Sequence, residues 1–594
     1  MRLADYVIER LVSLEIDSAF MVTGRGALFL TDAVAKSDFI QPICMHNEQA
    51  CAYAANAYAQ AKNSYGLCVV STGCASTNAI TGVLTAWQDC LPVIFVSGQN
   101  TLKETQAFTK LPIRTFGQQE ADIETIVTPI TKFAKTVTSP SDIRKVMDEA
   151  LFLANHGKKG PVWIDIPLDI QSAQIDPETL ETWEPSEIFQ STNPSQIAEI
   201  VDQLSAAERP IVLVGSGVRA SETVQSFVEF VELNQLPVAY TGSAPDVLSV
   251  SHDLCAGSVG SMGCSRSGAF AIQNSDFVLV LGNRLHSLTT GPDYCDFARD
   301  AKVVVVDIDE IEHSKVGVHI DTLIQMDLRE FFASLPPVQI TRNLDSWCEQ
   351  ISIWKNKFLS REEFANTNGI DLYDFSVQLS EKVSDHCHVI TDSGFAEVII
   401  PTNFDFKKDR RSIHPYSQGA MGYSLPAILG LHAASVKDIV VVVGDGSFMM
   451  NMQELESVRN YSARCKIFVI NNNAYSIIER RQTELFRKRT VGTNSSNGVT
   501  IPDLEKLSAV FDLKYVRISG YDDIENGIVN TLSYDGSVLC EVFGRLDQKY
   551  IEIAAARGKN GRFARRPLED QWPFLNRDEF SQNMLVKTLE ISEE

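Results

Sequence analysis

Short runs of β-branched and apolar residues, each closed by a small or polar residue and followed by a stretch at helical spacing, recur along the whole chain. Ile439–Val443 is apolar on both faces, as a parallel strand covered by helices on each side requires. A second such run, Lys466–Ile470, ends at Asn471, Asn472 and Asn473, and Met450, Met452, Leu455 and Val458 between the two predict a connecting helix. This is one βαβ unit, with "GDG" and "NNN" at the carboxyl ends of neighbouring strands, the edge at which open α/β sheets bind ligands.

The same alternation divides the chain into three blocks. The first, residues 1–175, has strands predicted at Leu67–Val70, Val93–Val96 and Val162–Ile166. The Pro-, Ser- and acid-rich stretch "SAQIDPETLETWEPSEIFQSTNPS" then reads as a linker. The second block, 190–335, has strands at Ile211–Val214, Phe277–Leu281 and Val303–Val306 and ends at the break "SLPPVQITRN". The third covers 365–545, and a tail, 546–594, lacks strand periodicity and is expected to wrap over the rest. Three doubly wound parallel-sheet α/β domains are therefore predicted.

Composition narrows the function. A net charge of −24 argues against nucleic acid or an anionic membrane as partner. Twelve cysteines without a Cys-x-x-Cys pair or a Cys/His cluster at metal spacing suit a reducing compartment and predict a cytoplasmic protein. "MRLADYVIERLVSLEI" carries charges throughout, which makes it an amphipathic helix and not a signal peptide, and no segment reads as membrane-spanning.

Asp445 follows a buried strand and precedes a helix, with Gly444, Gly446 and Ser447 around it. A diphosphate at that helix start would face the Asp carboxylate. A hard divalent cation such as Mg²⁺ between them removes the conflict and takes oxygen ligands. The Asn472 amide oxygen and the Ala474 carbonyl, at the matching edge of the next strand, complete a ligand set with Asp445.

"GDGSF" through "NNNAY" resembles the cofactor motif of thiamine-diphosphate enzymes. The resemblance implies Mg²⁺ and diphosphate held by Asp445, Asn472 and Ala474, and names the domains pyrimidine-binding, central and diphosphate-binding. It also implies a glutamate from another domain, supplied at Glu48 in "CMHNEQACAYAANAYAQA" and followed by "STGCAST", where the family has "TSGPGATN". Glu48 would hydrogen-bond the pyrimidine ring and favour its imino tautomer, so that the 4′-nitrogen takes up the thiazolium proton. In "YSQGAMGYSLPAILG", Met421 corresponds to the bulky residue that bends the cofactor. Because the family places this glutamate against the metal site of a second chain, a homodimer or homotetramer is implied.

"FGQQEADIETIVTPITKFAKTV" and "GPVWIDIPLDIQ" resemble the acetohydroxyacid synthase branch of carboligases, with Gln119 near cofactor and substrate. That branch decarboxylates a 2-oxo acid, here pyruvate, and passes the two-carbon unit to a carbonyl acceptor. Departures point to a larger or more polar acceptor. Gln118 replaces a Phe, Arg481 stands where a Trp narrows the pocket, and Arg25-Gly26 replaces paired glycines. Arg480 and Arg481 have the geometry to meet a phosphate or carboxylate. The tail "RRPLEDQWPFLNRDEF" resembles that of carboligases acting on nucleotide-linked keto sugars. In the central block the resemblance implies an FAD site with contacts from Gly215, Gly217 and Arg284, although His286-Ser287 replaces the usual acidic pair, which leaves FAD, ADP or no ligand open. Four other readings are acetolactate synthase proper, a diketone C–C hydrolase or lyase on this scaffold, a non-catalytic nucleotide- or flavin-binding protein, and an NAD-dependent dehydrogenase. The last lacks the third glycine of Gly-x-Gly-x-x-Gly, since Ala220 occupies it.

Overall fold

A computed structural model describes residues 1–185, 194–335, 342–363, 369–557 and 563–593. The middle of the expected linker (186–193), most of the break before the third block (336–341) and the start of that block (364–368) lie outside the described residues.

The first six-stranded sheet comprises β1 (Ser18–Met21), β2 (Gln41–Cys44), β3 (Gly66–Val70), β4 (Val93–Gln99), β5 (Phe133–Thr136) and β6 (Val162–Pro167) in the order β2-β1-β3-β4-β6-β5. The second comprises β7 (Pro210–Val214), β8 (Val238–Thr241), β9 (Cys255–Val259), β10 (Phe277–Leu281), β11 (Lys302–Asp307) and β12 (Thr322–Gln325), ordered β12-β11-β10-β7-β8-β9. The third comprises β13 (His388–Thr391), β14 (Arg411–Ile413), β15 (Ile439–Gly444), β16 (Lys466–Asn471), β17 (Lys514–Ile518) and β18 (Val538–Phe543), ordered β14-β13-β15-β16-β18-β17. Neighbouring strands in all three sheets pair parallel. The first and third orders change direction at their far edges, where β5 and β17 lie outside β6 and β18, and every sheet also reverses within itself, between β1 and β3, between β10 and β7, and between β13 and β15. Those reversals are the crevices where ligands reach an open sheet.

Every predicted strand is present, extended by at most a residue or a few at its ends. The expected helix between β15 and β16 is broken into Asp445–Met450 and Glu454–Asn460. Asn451 interrupts it because its amide donates to the Gly422 carbonyl at 2.8 Å, and Met450 is left 48% exposed instead of joining the core. The tail also departs from expectation: β19 (Ala555–Arg557) and β20 (Phe563–Arg565) pair antiparallel. Beyond them it does wrap the central domain, with Glu569 paired to Arg299 at 2.8 Å and Trp354 donating to Asn583 at 2.9 Å. The twelve cysteines are unpaired, and among the described residues no helix is long and apolar enough to cross a membrane.

The first and third domains share a single core. Helix Glu48–Lys62 buries six alanines, with Cys51, Tyr53, Asn56 and Tyr58 among them, and packs on helix Ser424–Ala433. A Cβ on Gly430 would lie 2.3 Å from the Ala54 carbonyl oxygen, so the helices touch backbone to backbone there. At the other end of the contact the Tyr53 and Tyr423 rings meet edge to face, 5.4 Å apart. Overpacking such a contact costs about 1–3 kcal/mol. Gly430→Ala should therefore lower Tm by several degrees, whereas Gly520→Ala, with open space around the added methyl, should leave it nearly unchanged. Differential scanning calorimetry of both variants checks this.

Candidate active site

β15 and β16 end side by side, with Gly444 opposite Ile470. Asp445, 3% exposed, opens the short helix that follows. Its Oδ1 accepts from the Gly446 N–H at 2.7 Å, and its Oδ2 from Asn472 at 3.1 Å and Asn473 at 2.7 Å. Burial pushes the acid up to about 6, and these backbone donors oppose that shift. Asn473 adopts φ +56°, a conformation asparagine tolerates, and so turns both N–H groups inward. The Asn472 side-chain oxygen accepts from Ala474 N–H at 3.2 Å, which folds Asp445, Asn472 and Ala474 into one loop.

The two glycines of the motif do different work. A Cβ at Gly446 would strike the Tyr475 ring at 1.9 Å, so this glycine admits a side chain of the protein itself. Gly444 has open space beside it and is where a ligand has room to approach. Ser447 is buried and hydrogen-bonds Asp392.

Asp392, at the end of β13, was not singled out from the sequence. Fully buried, it accepts from Ser393 (2.8 Å), Gly422 (3.1 Å) and Ser424 (2.9 Å), and so fixes the segment that carries Met421. Half-buried Met421 stands between Gly419 (φ +57°) and Gly422 (φ +82°) on that segment. The signal was available, because "VITDSG" repeats the strand–Asp–Gly pattern of "VVVGDGS" at the other side of the strand-order reversal.

Asp445, Asn472 and Ala474 offer the oxygen ligands that a hard cation takes. Among the described residues no group of three or more His, Cys, Asp or Glu could hold a metal. A cation here would accordingly combine the single carboxylate of Asp445 with neutral oxygens and phosphate.

A second cluster forms at the reversal of the first sheet. Glu48 opens its helix behind the Asn47 cap, and its Oε2 accepts from Asn78 at 2.9 Å. Asn78 ends the helix Cys74–Asn78, which starts after Gly73 (φ +59°), where a Cβ would fall 1.5 Å from the Gln119 carbonyl oxygen. Gln119 is itself left-handed, φ +61°. Arg25 donates to Gln118 Oε1 at 3.2 Å, and Asn100 holds the Gln118 carbonyl at 2.9 Å. Glu48, Gln119, Gln118 and Arg25 are thus brought together, the last three exposed. His46 and Gln49 on either side of Glu48 bond Glu454 (3.1 Å) and Asn451 (3.4 Å) of the third domain, but the Glu48 carboxylate itself bonds within its own domain.

Arg480 and Arg481 are not free to receive an anion. Both meet Glu552, a fully buried carboxylate from the start of the tail, Arg480 at 2.5 Å and Arg481 in a comparably close pair. Arg480 also lies 4.7 Å from the Trp572 ring and 5.4 Å from Tyr550. The planar, bidentate geometry expected of this pair is met by the protein's own carboxylate.

In the central domain Gly217 and Arg284 line a cavity of about 220 Å³ at the β7/β10 reversal, joined by Asn283, Asp307 and Met326. Gly215 instead packs into the strand crossing, where a Cβ would be 2.4 Å from the Gly282 carbonyl oxygen. Arg284 spans all three domains, donating to the Gln88 carbonyl at 2.8 Å and to Ser417.

Family models for the thiamine pyrophosphate enzymes match this chain over residues 1–126 (N-terminal TPP binding domain), 197–335 (central domain) and 392–542 (C-terminal TPP binding domain). The acetolactate synthase large subunit of Corynebacterium glutamicum is 30% identical over 539 residues, 88% of this chain and 83% of that protein. That of Lactococcus lactis is 28% identical over 544 residues, 90% of this chain and 91% of its own. The large subunit of Escherichia coli isozyme 2 is 29% identical over 544 residues, covering 91% and 95%. The chain belongs to the thiamine pyrophosphate enzymes. Within them it is a carboligase of the acetolactate synthase type, using thiamine diphosphate to form carbon–carbon bonds.

Removing the charge from Glu552 while keeping its shape isolates the arginine contact. Because Arg480 and Arg481 are partly exposed, Glu552→Gln should cost about 1–3 kcal/mol, less than a fully buried pair. A fall in Tm that sulfate partly restores, by supplying an anion to the released guanidinium groups, is the expected result in a thermal scan.

Proposed function

We propose that the protein decarboxylates pyruvate and joins the two-carbon unit to a polar, phosphate-bearing carbonyl acceptor such as a nucleotide-linked keto sugar, with Mg²⁺ at Asp445. The observation that carries this reading is the loop in which the buried Asp445 carboxylate accepts from the Asn472 and Asn473 N–H groups while the Asn472 side-chain oxygen accepts from Ala474 N–H. When bound, thiamine diphosphate supplies the electron sink that lets a 2-oxo acid lose CO₂. Asp445, Asn472 and Ala474 would hold the cation, and the open space beside Gly444 would take the diphosphate. Met421 would support the bound cofactor, and Glu48 would hold a proton at its pyrimidine ring. Gln119 orients the bound 2-oxo acid.

Arg25 and Gln118 supply the polar wall of the acceptor pocket. Their mutual hydrogen bond, 3.2 Å and exposed, exchanges readily for a phosphate on the guanidinium. Arg480 and Arg481, held by Glu552, act as the brace behind that pocket. A homodimer or homotetramer is supported by the Glu48 carboxylate bonding only inside its own domain and by Phe108, Leu111 and Phe116, each more than half exposed on the loop beside Gln118. FAD or ADP in the central crevice is supported by its place at the strand-order reversal and by Gly217 and Arg284 in its lining. A cytoplasmic location is supported by twelve unpaired cysteines.

Labelled CO₂ release from carboxyl-labelled pyruvate, with thiamine diphosphate and Mg²⁺ supplied, tests the donor. The parent should release label and Glu48→Gln should lose about 10²–10⁴-fold in rate, the range of general acid–base groups. No release from the parent despite bound cofactor would sink the pyruvate reading and favour the hydrolase. In the same assay, Gln118→Phe should shift acceptor preference away from phosphate-bearing carbonyls and towards a second 2-oxo acid.

A further inference from the structure

Glu397 has no part in the roles above, yet its carboxyl stands at the same sheet edge. β13 runs beside β15 with Thr391 opposite Val442, so the turn after β13 emerges next to Asp445. That turn, Asp392-Ser393-Gly394, opens the helix Phe395–Asn403, and Glu397 lies in its first turn. An acid at this position ordinarily folds back to cap the helix. Here the cap residue is Gly394 with no side-chain bond, and the carboxyl points away towards the loop that carries Met421. Its Oε2 and Oε1 lie 3.4 and 3.7 Å from where a Cβ on Gly419 would be, two residues before Met421. Gly419 leaves that volume free and, at φ +57°, has a backbone in which a side chain would be strained.

The groups that face Glu397 are acidic or neutral. Asp392 comes from its own strand end, Asp89 from the first domain, and the Tyr416 hydroxyl from the loop ahead of Gly419. Arg284, the cation acting on Asp89 and Tyr416, is engaged by Gln88 and Ser417. Among the described residues the Glu397 side chain makes no hydrogen bond or ion pair, although the carboxylates around it, Asp392 and Asp89, are each held by backbone N–H groups. Glu397 is half-buried and unpaired beside two carboxylates, the kind of setting in which functional acids are found. Burial, then the negative charges of Asp392 and Asp89, push it up to about 8, so that it is a carboxylic acid at neutral pH.

We propose that Glu397 is a second catalytic acid of the site, which delivers the proton that carboligation consumes to the carbonyl oxygen of the acceptor. The inference rests on the carboligase reading and adds a residue to it. An anionic 2-oxo acid that leaves as neutral CO₂ takes up one proton per turnover when its remaining carbons join an aldehyde or ketone. As the new carbon–carbon bond forms, the electron pair of the acceptor C=O moves onto its oxygen. The Glu397 O–H bond breaks as the product O–H bond forms, and the carboxylate is reloaded by a proton from solvent, closing the balance.

Glu397→Gln keeps size and shape but has no acidic proton. It should bind thiamine diphosphate with the parent's Kd, keep the parent's Tm at neutral pH, and lose about 10²–10⁴-fold in kcat for ligated product. The alkaline fall of the parent's rate near pH 8 should be missing from what activity remains, and Glu397→Asp should restore part of the rate. A readout that needs neither cofactor nor turnover is the infrared carbonyl stretch of a protonated carboxyl in the unliganded protein. In the difference between parent and Glu397→Gln it should be present at neutral pH and disappear as pH rises through about 8. An unchanged kcat and pH profile, or a loss traced entirely to weaker cofactor binding, overturns the proposal, as does a difference spectrum without that band. Failure of the parent to release CO₂ from pyruvate strikes the carboligase reading instead, and the infrared arm still decides whether Glu397 holds its proton.

Discussion

The contact between helix Glu48–Lys62 and helix Ser424–Ala433 is the constraint on which the site depends. Alanines on one helix and Gly430 on the other let two backbones touch, so the first and third domains close over one core with almost no freedom to slide. Interiors packed to this density transmit position faithfully. Glu48 opens one of these helices and the Met421 segment leads into the other. Asn451 completes the link: it gives up helical geometry to bond Gly422 on one side and Gln49 on the other. The residues that carry chemistry are therefore placed by the least reactive side chains in the chain.

A second regularity is topological. All three candidate ligand positions fall where a strand order reverses: Arg25 and Gly73 in the first sheet, Gly217 and Arg284 in the second, Asp392 and Asp445 in the third. At such a point two loops diverge to opposite faces and leave a crevice at the strand ends. The third sheet uses its crevice most fully. Asp392 and Asp445 flank it, both buried and both satisfied by backbone donors, and Glu397 stands unpaired beside Gly419 on the neighbouring loop. The arginines that sequence alone suggested for anion binding are a different device, since Glu552 ties them to the tail.

Interior strands were legible because both faces are buried and their sequences are continuous apolar runs, as in β10 and β15. Edge and short strands were not. β2 buries only one of its four residues, β14 has three residues, and β17 mixes exposed Lys514 and Arg517 with partly buried positions, so none carries a period to read. The metal-type loop was legible because its atoms come from two local motifs, "GDG" and "NNNA". Asp392 carried a local signal in the strand–Asp–Gly repeat, whereas Asn78 and Glu397 were missed because their meaning arises only from contacts with residues distant in the chain. The Arg480–Glu552 pairing is of the same kind, spanning 72 positions with no local pattern to announce it.

Binding of thiamine diphosphate measured by titration calorimetry, with Mg²⁺ or with a chelator present and with Asp445→Ala alongside, tests the central claim most directly. A buried carboxylate and a diphosphate repel one another without a cation between them. The account predicts tight binding by the parent in Mg²⁺, and loss of at least about 10-fold in affinity both on chelation and in Asp445→Ala. Equal affinity with and without the cation, or a variant that binds as well as the parent, would contradict it.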